Sequence, residues 1–165
     1  MDSATLYEQD VLAWSEQQAA ALRRLAERRD LPNQLDLANV IEEITDVGKS
    51  ELRAVESFIE NILSHLILLW AEPHSPAARG WRAEITAWHV SLRRRVTPSM
   101  RTAIDLDRLW RDAVIVACAK LASWEETTAA RAAAALGGLA CPLDFGLLGG
   151  ETLDSAGAVA KLPPA

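Results

Sequence analysis

Cysteine is scarce in this chain of 165 residues: only Cys118 and Cys141 occur, which is neither a disulfide framework nor a four-ligand zinc site. Long apolar runs are missing too. A membrane span needs about 18 uninterrupted apolar residues, and the longest candidate is broken by Ser64 and His65. The N-terminus lacks the basic-then-apolar layout of a signal peptide, so a cytoplasmic location is expected. Positive charge is in the minority, with 17 Lys and Arg against 23 Asp and Glu and a net charge of −6. That balance argues against a nucleic-acid partner, whose binding rests on neutralising phosphates. No segment alternates polar and apolar residues as an amphipathic strand does, and no internal repeat is present. Also missing are a Gly-x-Ser-x-Gly elbow, a phosphate-cradling Gly loop and a Cys-x-x-Cys pair.

What the chain does have is one long helical pattern, Asp36 to Trp70. Leu37, Val40, Ile41, Ile44, Gly48, Leu52, Val55, Phe58, Ile59, Ile62, Leu66 and Leu69 recur every three or four residues and form a single stripe. At about 1.5 Å per residue such a helix spans on the order of 50 Å. Gly48 sits within the stripe, whose phase runs straight through it, so a close approach by another helix is expected there rather than a kink. The outer face carries Asp36, Glu42, Glu43, Asp46, Glu51, Glu56 and Glu60 against only Lys49 and Arg53. From Ile62 to Trp70 the helix is apolar nearly all round, which implies cover on several sides, by the core or by a second copy.

The flanking segments are helical as well. Thr5 and Glu8 have capping-box spacing and predict a first helix over about 6–28, burying Tyr7, Val11, Trp14, Ala21, Leu22 and Leu25, with Arg23, Arg24, Arg28 and Arg29 near its end. Leu31-Pro32-Asn33 stops it, and Asp36 can cap the central helix. After a Pro-punctuated loop, a basic helix over about 77–96 buries Trp81, Ile85, Trp88, Leu92 and Val96. Between Arg79 and Arg101 six Arg face only Glu84, so an antiparallel hairpin would set a basic helix beside the acidic one. Thr97-Pro98 opens a further helix reaching Leu121, and Ser123 with Glu126 has the spacing to cap an Ala-rich one that Gly137-Gly138 ends. The fold class is all-α: an antiparallel bundle of about five helices built on the long central one. A single domain is expected over 1–148, with 149–165 a mobile tail of small residues unless Leu162 docks.

Several strings taken together resemble one family. Leu6-Tyr7-Glu8-Gln9-Asp10 with Trp14 comes first, followed by Leu35-Asp36-Leu37-Ala38-Asn39-Val40-Ile41-Glu42-Glu43-Ile44. Gly48-Lys49-Ser50-Glu51, His65-Leu66, Trp81-Arg82-Ala83 and Cys141-Pro142 continue the pattern. The chain is similar over about 6–148 to the bacterial family called domain of unknown function twenty-nine. The resemblance implies an all-helical bacterial protein and leaves activity open.

Candidate chemistry is sparse. Glu42, Glu43 and Asp46 have the helical spacing of a divalent-metal site, and Glu43-x-x-Asp46 resembles half of the paired motif of helical nucleotide pyrophosphatases. Its second half is missing from the folded part, which favours a solvated acidic face and no metal or other cofactor. His65 lies alone on an apolar helix end, the setting of a core histidine more often than of a general base. Glu51 falls on the apolar stripe and needs a partner. Trp81 with Arg82 could hold an anion or a partner's carboxylate. Glu51, His65, Trp81 and Arg82 are therefore the candidate binding residues. The function expected is a non-enzymatic module that binds a protein or itself. A metal-dependent phosphohydrolase is the alternative.

Overall fold

The computed structural model describes residues 3–28, 31–32 and 34–164. The expectations placed on Arg29 and Asn33 fall outside them. Among the described residues all regular structure is helical: α1 (Ser3–Gln9), α2 (Val11–Ala26), α3 (Leu37–Ala71), α4 (Ala78–Arg95), α5 (Pro98–Ala103), α6 (Leu106–Ser123), α7 (Thr127–Ala135), α8 (Phe145–Leu148) and α9 (Ser155–Val159). A short 3-10 turn over Leu136–Gly138 follows α7. The all-α class and the long central helix are as expected. The number of helices is not, because two of the predicted helices are each divided by an aspartate.

The chain falls into two compact units, residues 1–54 with 97–104, and residues 55–96 with 105–165. Helix α3 runs unbroken through Gly48 and supplies residues to both.

In the first unit, Asp10 leaves helical geometry (φ −152°, ψ 81°) and caps α2 by accepting from the Ala13 N–H at 3.2 Å. Its carboxylate also accepts from the Thr97 hydroxyl at 2.9 Å, the Ser99 hydroxyl at 2.5 Å and the Ser99 N–H at 3.0 Å. Helix α5 is thereby tied to the start of α2. Thr97 spends its hydroxyl on Asp10 and makes no cap bond of its own, although Pro98 does occupy the first turn of α5. Burial works against the Asp10 charge, but these bonds outweigh it and hold the carboxyl below its ordinary value. The break resets the phase of α2, so Leu12, Ser15 and Ala19 are the buried positions. Tyr7, expected inside, is 54% exposed and lies edge-on to Trp14 at 4.7 Å. Ala21 is exposed too, and Thr5 lies within α1 rather than at its cap.

Asp36 caps α3 as expected, accepting from the Asn39 N–H at 3.2 Å. At Gly48 helix α2 comes so near that a β-carbon would lie 2.0 Å from Ser15 Oγ, 3.0 Å from Ser15 Cβ and 3.2 Å from Leu12 Cδ1. The glycine is there for close approach. The stripe around it is only partly covered, since Leu37 is buried, Ile41 and Ile44 are half-buried, and Val40 is 38% exposed.

In the second unit, α3 from Ile62 to Leu69 is buried at every position. This chain's own core covers it. The helix is long and apolar enough to cross a membrane, yet most of its apolar stretch is buried against protein. Helix α4 packs antiparallel to it, with Trp88 and Glu84 against His65 and Arg82 sharing a small cleft with Leu69. Trp110 of α6 is fully buried and donates its indole N–H to the Leu136 carbonyl at 3.0 Å. Between α5 and α6 the chain turns extended at Ile104, and Asp105 starts α6 by accepting from the Arg108 N–H at 3.0 Å. The acidic and basic helices find part of their partners elsewhere. Glu56 of α3 pairs with Arg108 of α6, and Arg93 of α4 donates to the Glu151 carbonyl at 2.5 Å.

In the segment after Gly149, expected to be mobile unless Leu162 docks, Leu162 does dock. Asp154 caps α9, Ala158 and Leu162 are buried, and Trp70 donates its indole N–H to the Pro163 carbonyl at 2.7 Å. Ser123 and Glu126 do not form the expected capping box. The Ser123 hydroxyl donates to the Lys120 carbonyl, and α6 ends in a Schellman turn in which Glu126 N–H reaches the Leu121 carbonyl and Glu125 N–H the Ala122 carbonyl, both at 3.1 Å. Glu125 occupies the left-handed position of that turn (φ 64°), which glycine usually fills where a helix ends this way.

Two substitutions test these contacts. Gly48→Ala gains helix propensity but forces α2 away, and should cost about 1–2 kcal/mol net in urea denaturation, with Ser15→Gly restoring part of the loss. Glu125→Gly should raise stability by up to ~1 kcal/mol, whereas Glu125→Val should lower it by at least as much.

Candidate functional site

His65 is placed by the register of α3 in the middle of its apolar end, where the side chain is only 6% exposed. The Asn61 carbonyl, one turn back, lies 2.9 Å from Nδ1. A carbonyl can only accept, so Nδ1 carries the proton and Nε2 is the atom that titrates. Two opposed groups face Nε2, the Glu84 carboxylate of α4 at 3.1 Å and the Lys120 ammonium of α6 at 3.5 Å. The Trp88 ring meets the imidazole edge-to-face at 4.7 Å. Burial and then the Lys120 charge lower the His65 pKa, against the Asn61 carbonyl and Glu84, which raise it. At neutral pH the ring is therefore neutral and accepts from Lys120, and its contact with Glu84 is not an ion pair. Protonation would turn Nε2 into a donor to Glu84 and set it against Lys120.

His89 of α4 is also buried, and among the described residues its Nε2 finds no partner. Burial, followed by the charge of Arg93, lowers its pKa against a backbone hydrogen bond to Gly150. The thiols are shifted as well: burial pushes both Cys118 and Cys141 above the ordinary value. Neither has the electropositive, lowered-pKa setting of a reactive cysteine.

The other candidates lie apart from His65. Trp81 is nearly buried and stacks on Trp124, with ring centroids 5.7 Å apart and planes within 12°. Both rings wall a cavity of about 330 Å³ that Glu72, His74, Pro76 and Glu126 also line. Arg82, expected to act together with Trp81, is exposed and lines a separate cleft of about 170 Å³ with Leu69, Pro73 and Val159. Glu51 belongs to the first unit, where it is half-buried and not without a partner. Glu42 and Asp46 line a shallow cleft there with the cations Arg23 and Lys49, and Lys49 lies 3.8 Å from Asp46. Among the described residues no group of three or more His, Cys, Asp or Glu side chains is placed to hold a metal ion.

Sequence reasoning missed Glu84 and Lys120 around His65, and Trp124, Glu72 and Glu126 around Trp81. The helical-hairpin register could have found Glu84, the lone acid of the basic helix. Nothing local pointed to Lys120 or Trp124.

A small all-helical protein with its polar groups buried against one long central helix is the class that this fold and these sites define. The chain belongs to the family described as Domain of unknown function DUF29, whose model matches residues 6–135. The match ends before Cys141-Pro142. A crystal structure of an alpha-helical protein of unknown function from Rhodospirillum rubrum is similar at 38% identity and a TM-score of 0.81, covering 96% of this chain and 98% of that one. No curated protein matches.

Both buried histidines bind protons less readily when folded than when unfolded. The unfolded chain then holds more protons below its ordinary histidine pKa of about 6.5, and stability must fall as pH drops through that value. Chemical-denaturation midpoints should be flat between about pH 7.5 and 8 and decline below 6.5, by at most ~1.4 kcal/mol per pH unit for each ring. His89→Gln should make the decline shallower.

Proposed function

We propose that this protein is a non-enzymatic helical module that binds a protein partner through the N-terminal half of α3. The observation that carries this reading is the exposure of Val40 (38%), a stripe position, and of Val47 (43%), beside the stripe, on a helix whose remaining stripe positions turn inward. Seven residues apart, they lie within roughly 20° of each other around the helix axis, and Asp36 and Glu43 share that face. Leu35, also exposed, extends the apolar surface past the helix start. An apolar strip edged by carboxylates suits an amphipathic helix with Leu or Ile at three- and four-residue spacing and Lys or Arg at its borders. The apolar end of α3, which first suggested self-association, is unavailable because the chain covers it.

The state of the His65 ring supports a non-catalytic role. Its Nδ1 donates to the Asn61 carbonyl, its Nε2 accepts from Lys120 and the ring packs against Trp88, so the base that a reaction would need is already taken up.

Fluorescence anisotropy with a labelled amphipathic Leu–Lys helical peptide tests the proposal. The wild-type protein should bind with salt-dependent affinity, Val40→Asp/Val47→Asp should weaken binding by roughly tenfold or more, and a Leu–Glu peptide of the same pattern should not bind. Equal affinity for the variant, or no binding of the Leu–Lys peptide, would overturn it. A dimer seen in sedimentation and lost in the same variant would replace the partner with a second copy.

A further inference from the structure

The cavity walled by Trp81 and Trp124 plays no part in the proposed partner contact and has a chemistry of its own. Glu72 and Glu126 line both this cavity and an adjoining cleft of about 320 Å³, where Glu125 is added. Among the described residues neither lining contains Lys or Arg. Two indoles and three carboxylates with no fixed cation among them make a site that attracts positive charge. Trp124 is 46% exposed, so part of its ring is open to a visitor. The backbone supports the arrangement: the left-handed Glu125 turns the chain between α6 and α7, setting Trp124 on one side and Glu126 on the other of the same opening. A non-glycine residue in that conformation persists where its surroundings hold it there.

Two kinds of cation can be told apart by these walls. A hard metal ion wants several oxygen ligands converging on one point, and the carboxylates are not so grouped. An alkylated ammonium gains from the ring faces through its methyl groups and its charge, and sheds water readily enough to do so. We propose that this cavity is a binding site for an alkylated ammonium group, with the open part of the Trp124 ring, held by its stack on Trp81, as the aromatic wall and Glu72 and Glu126 as its counter-charges. The volume is that of a small-ligand pocket. The group can come as a free quaternary amine or as a methylated lysine of another protein.

The test is a titration with tetramethylammonium chloride at constant ionic strength, followed by calorimetry and by the NMR signals of the indole N–H groups. Saturable binding is expected, with no saturable response to ammonium or sodium chloride. Trp124→Ala, at an exposed ring, should weaken it by roughly tenfold, the loss of a cation–π contact with a desolvated cation. Trp124→Phe should retain more of the affinity than Trp124→Ala, and Glu126→Gln should weaken binding without moving the thermal midpoint. Comparison of choline with a trimethyl-lysine peptide then separates the sources, similar affinities indicating a free amine and a much tighter peptide indicating a protein-borne group. The proposal is overturned if tetramethylammonium gives no saturable response, if ammonium binds as well, or if Trp124→Ala binds like the wild type.

Discussion

The end of α3 from Ile62 to Leu69 must be kept from water on every side, and much of the second unit exists to do so. Ile62, Leu63, Leu66, Ile67, Leu68 and Leu69 together leave no polar face for solvent. Each such side chain contributes roughly 1.5–3 kcal/mol when buried. One partner helix covers a stripe, and a helix that is apolar all round needs several. Here α4 packs along it antiparallel, α6 brings Lys120 to His65, and the C-terminal segment closes over Trp70. The docking of the tail follows from the same demand. Small residues such as Ala158 let the chain lie close, and Leu162 supplies the apolar contact.

Burying that end also dictates how the enclosed polar groups are treated. Ser64 answers for its hydroxyl locally, by donating to the Asn61 carbonyl at 3.0 Å. His65 cannot, because an imidazole has two nitrogens and the helix backbone satisfies only one. The second nitrogen requires groups from other helices, and α4 and α6 deliver one of each sign. Asp10 solves a similar problem in the first unit by accepting from Ala13, Thr97 and Ser99. In both places a polar side chain fixes which segments meet, a specificity that apolar packing alone supplies less sharply.

What could be read from the sequence divides along the range of the interactions. The central helix, its Asp36 cap and the close approach at Gly48 were legible because a stripe, a cap and a glycine are written within a few residues of one another. The breaks at Asp10 and Asp105 were not, although Asp is a good N-cap. Within a run of helix formers an Asp at the cap and an Asp on the outer face look alike, and the Ser99 and Thr97 groups that decide the case at Asp10 lie about ninety positions away. After Gly149 the Gly, Ala and Pro composition leaves mobility or docking open, and the surface that takes up Leu162 is not written in the neighbouring residues. Of the candidate site residues, His65 and Trp81 were visible as oddities in apolar surroundings. Their partners were not, because contact with Lys120 or Trp124 depends on how α6 lies beside α3 and α4.

The distribution of charge bears on what such a protein can meet. A net charge of −6 is a weak global field, but the carboxylates are not spread evenly. Asp36 and Glu43 border the exposed valines of α3, while Glu72, Glu125 and Glu126 border the tryptophan cavity. In each place negative charge surrounds apolar or aromatic surface rather than standing alone on a solvated face. Carboxylates around an apolar patch keep it soluble when empty and select cationic visitors when filled, because a neutral or anionic one would leave them desolvated without a partner. The basic residues follow a different pattern, for Arg108 bridges to Glu56 and Asp112 and Arg93 reaches a backbone carbonyl. Those cations hold helices together. Arg108 and Arg93 thus work inside the fold, and negative charge is what stands at the two surfaces where binding is proposed.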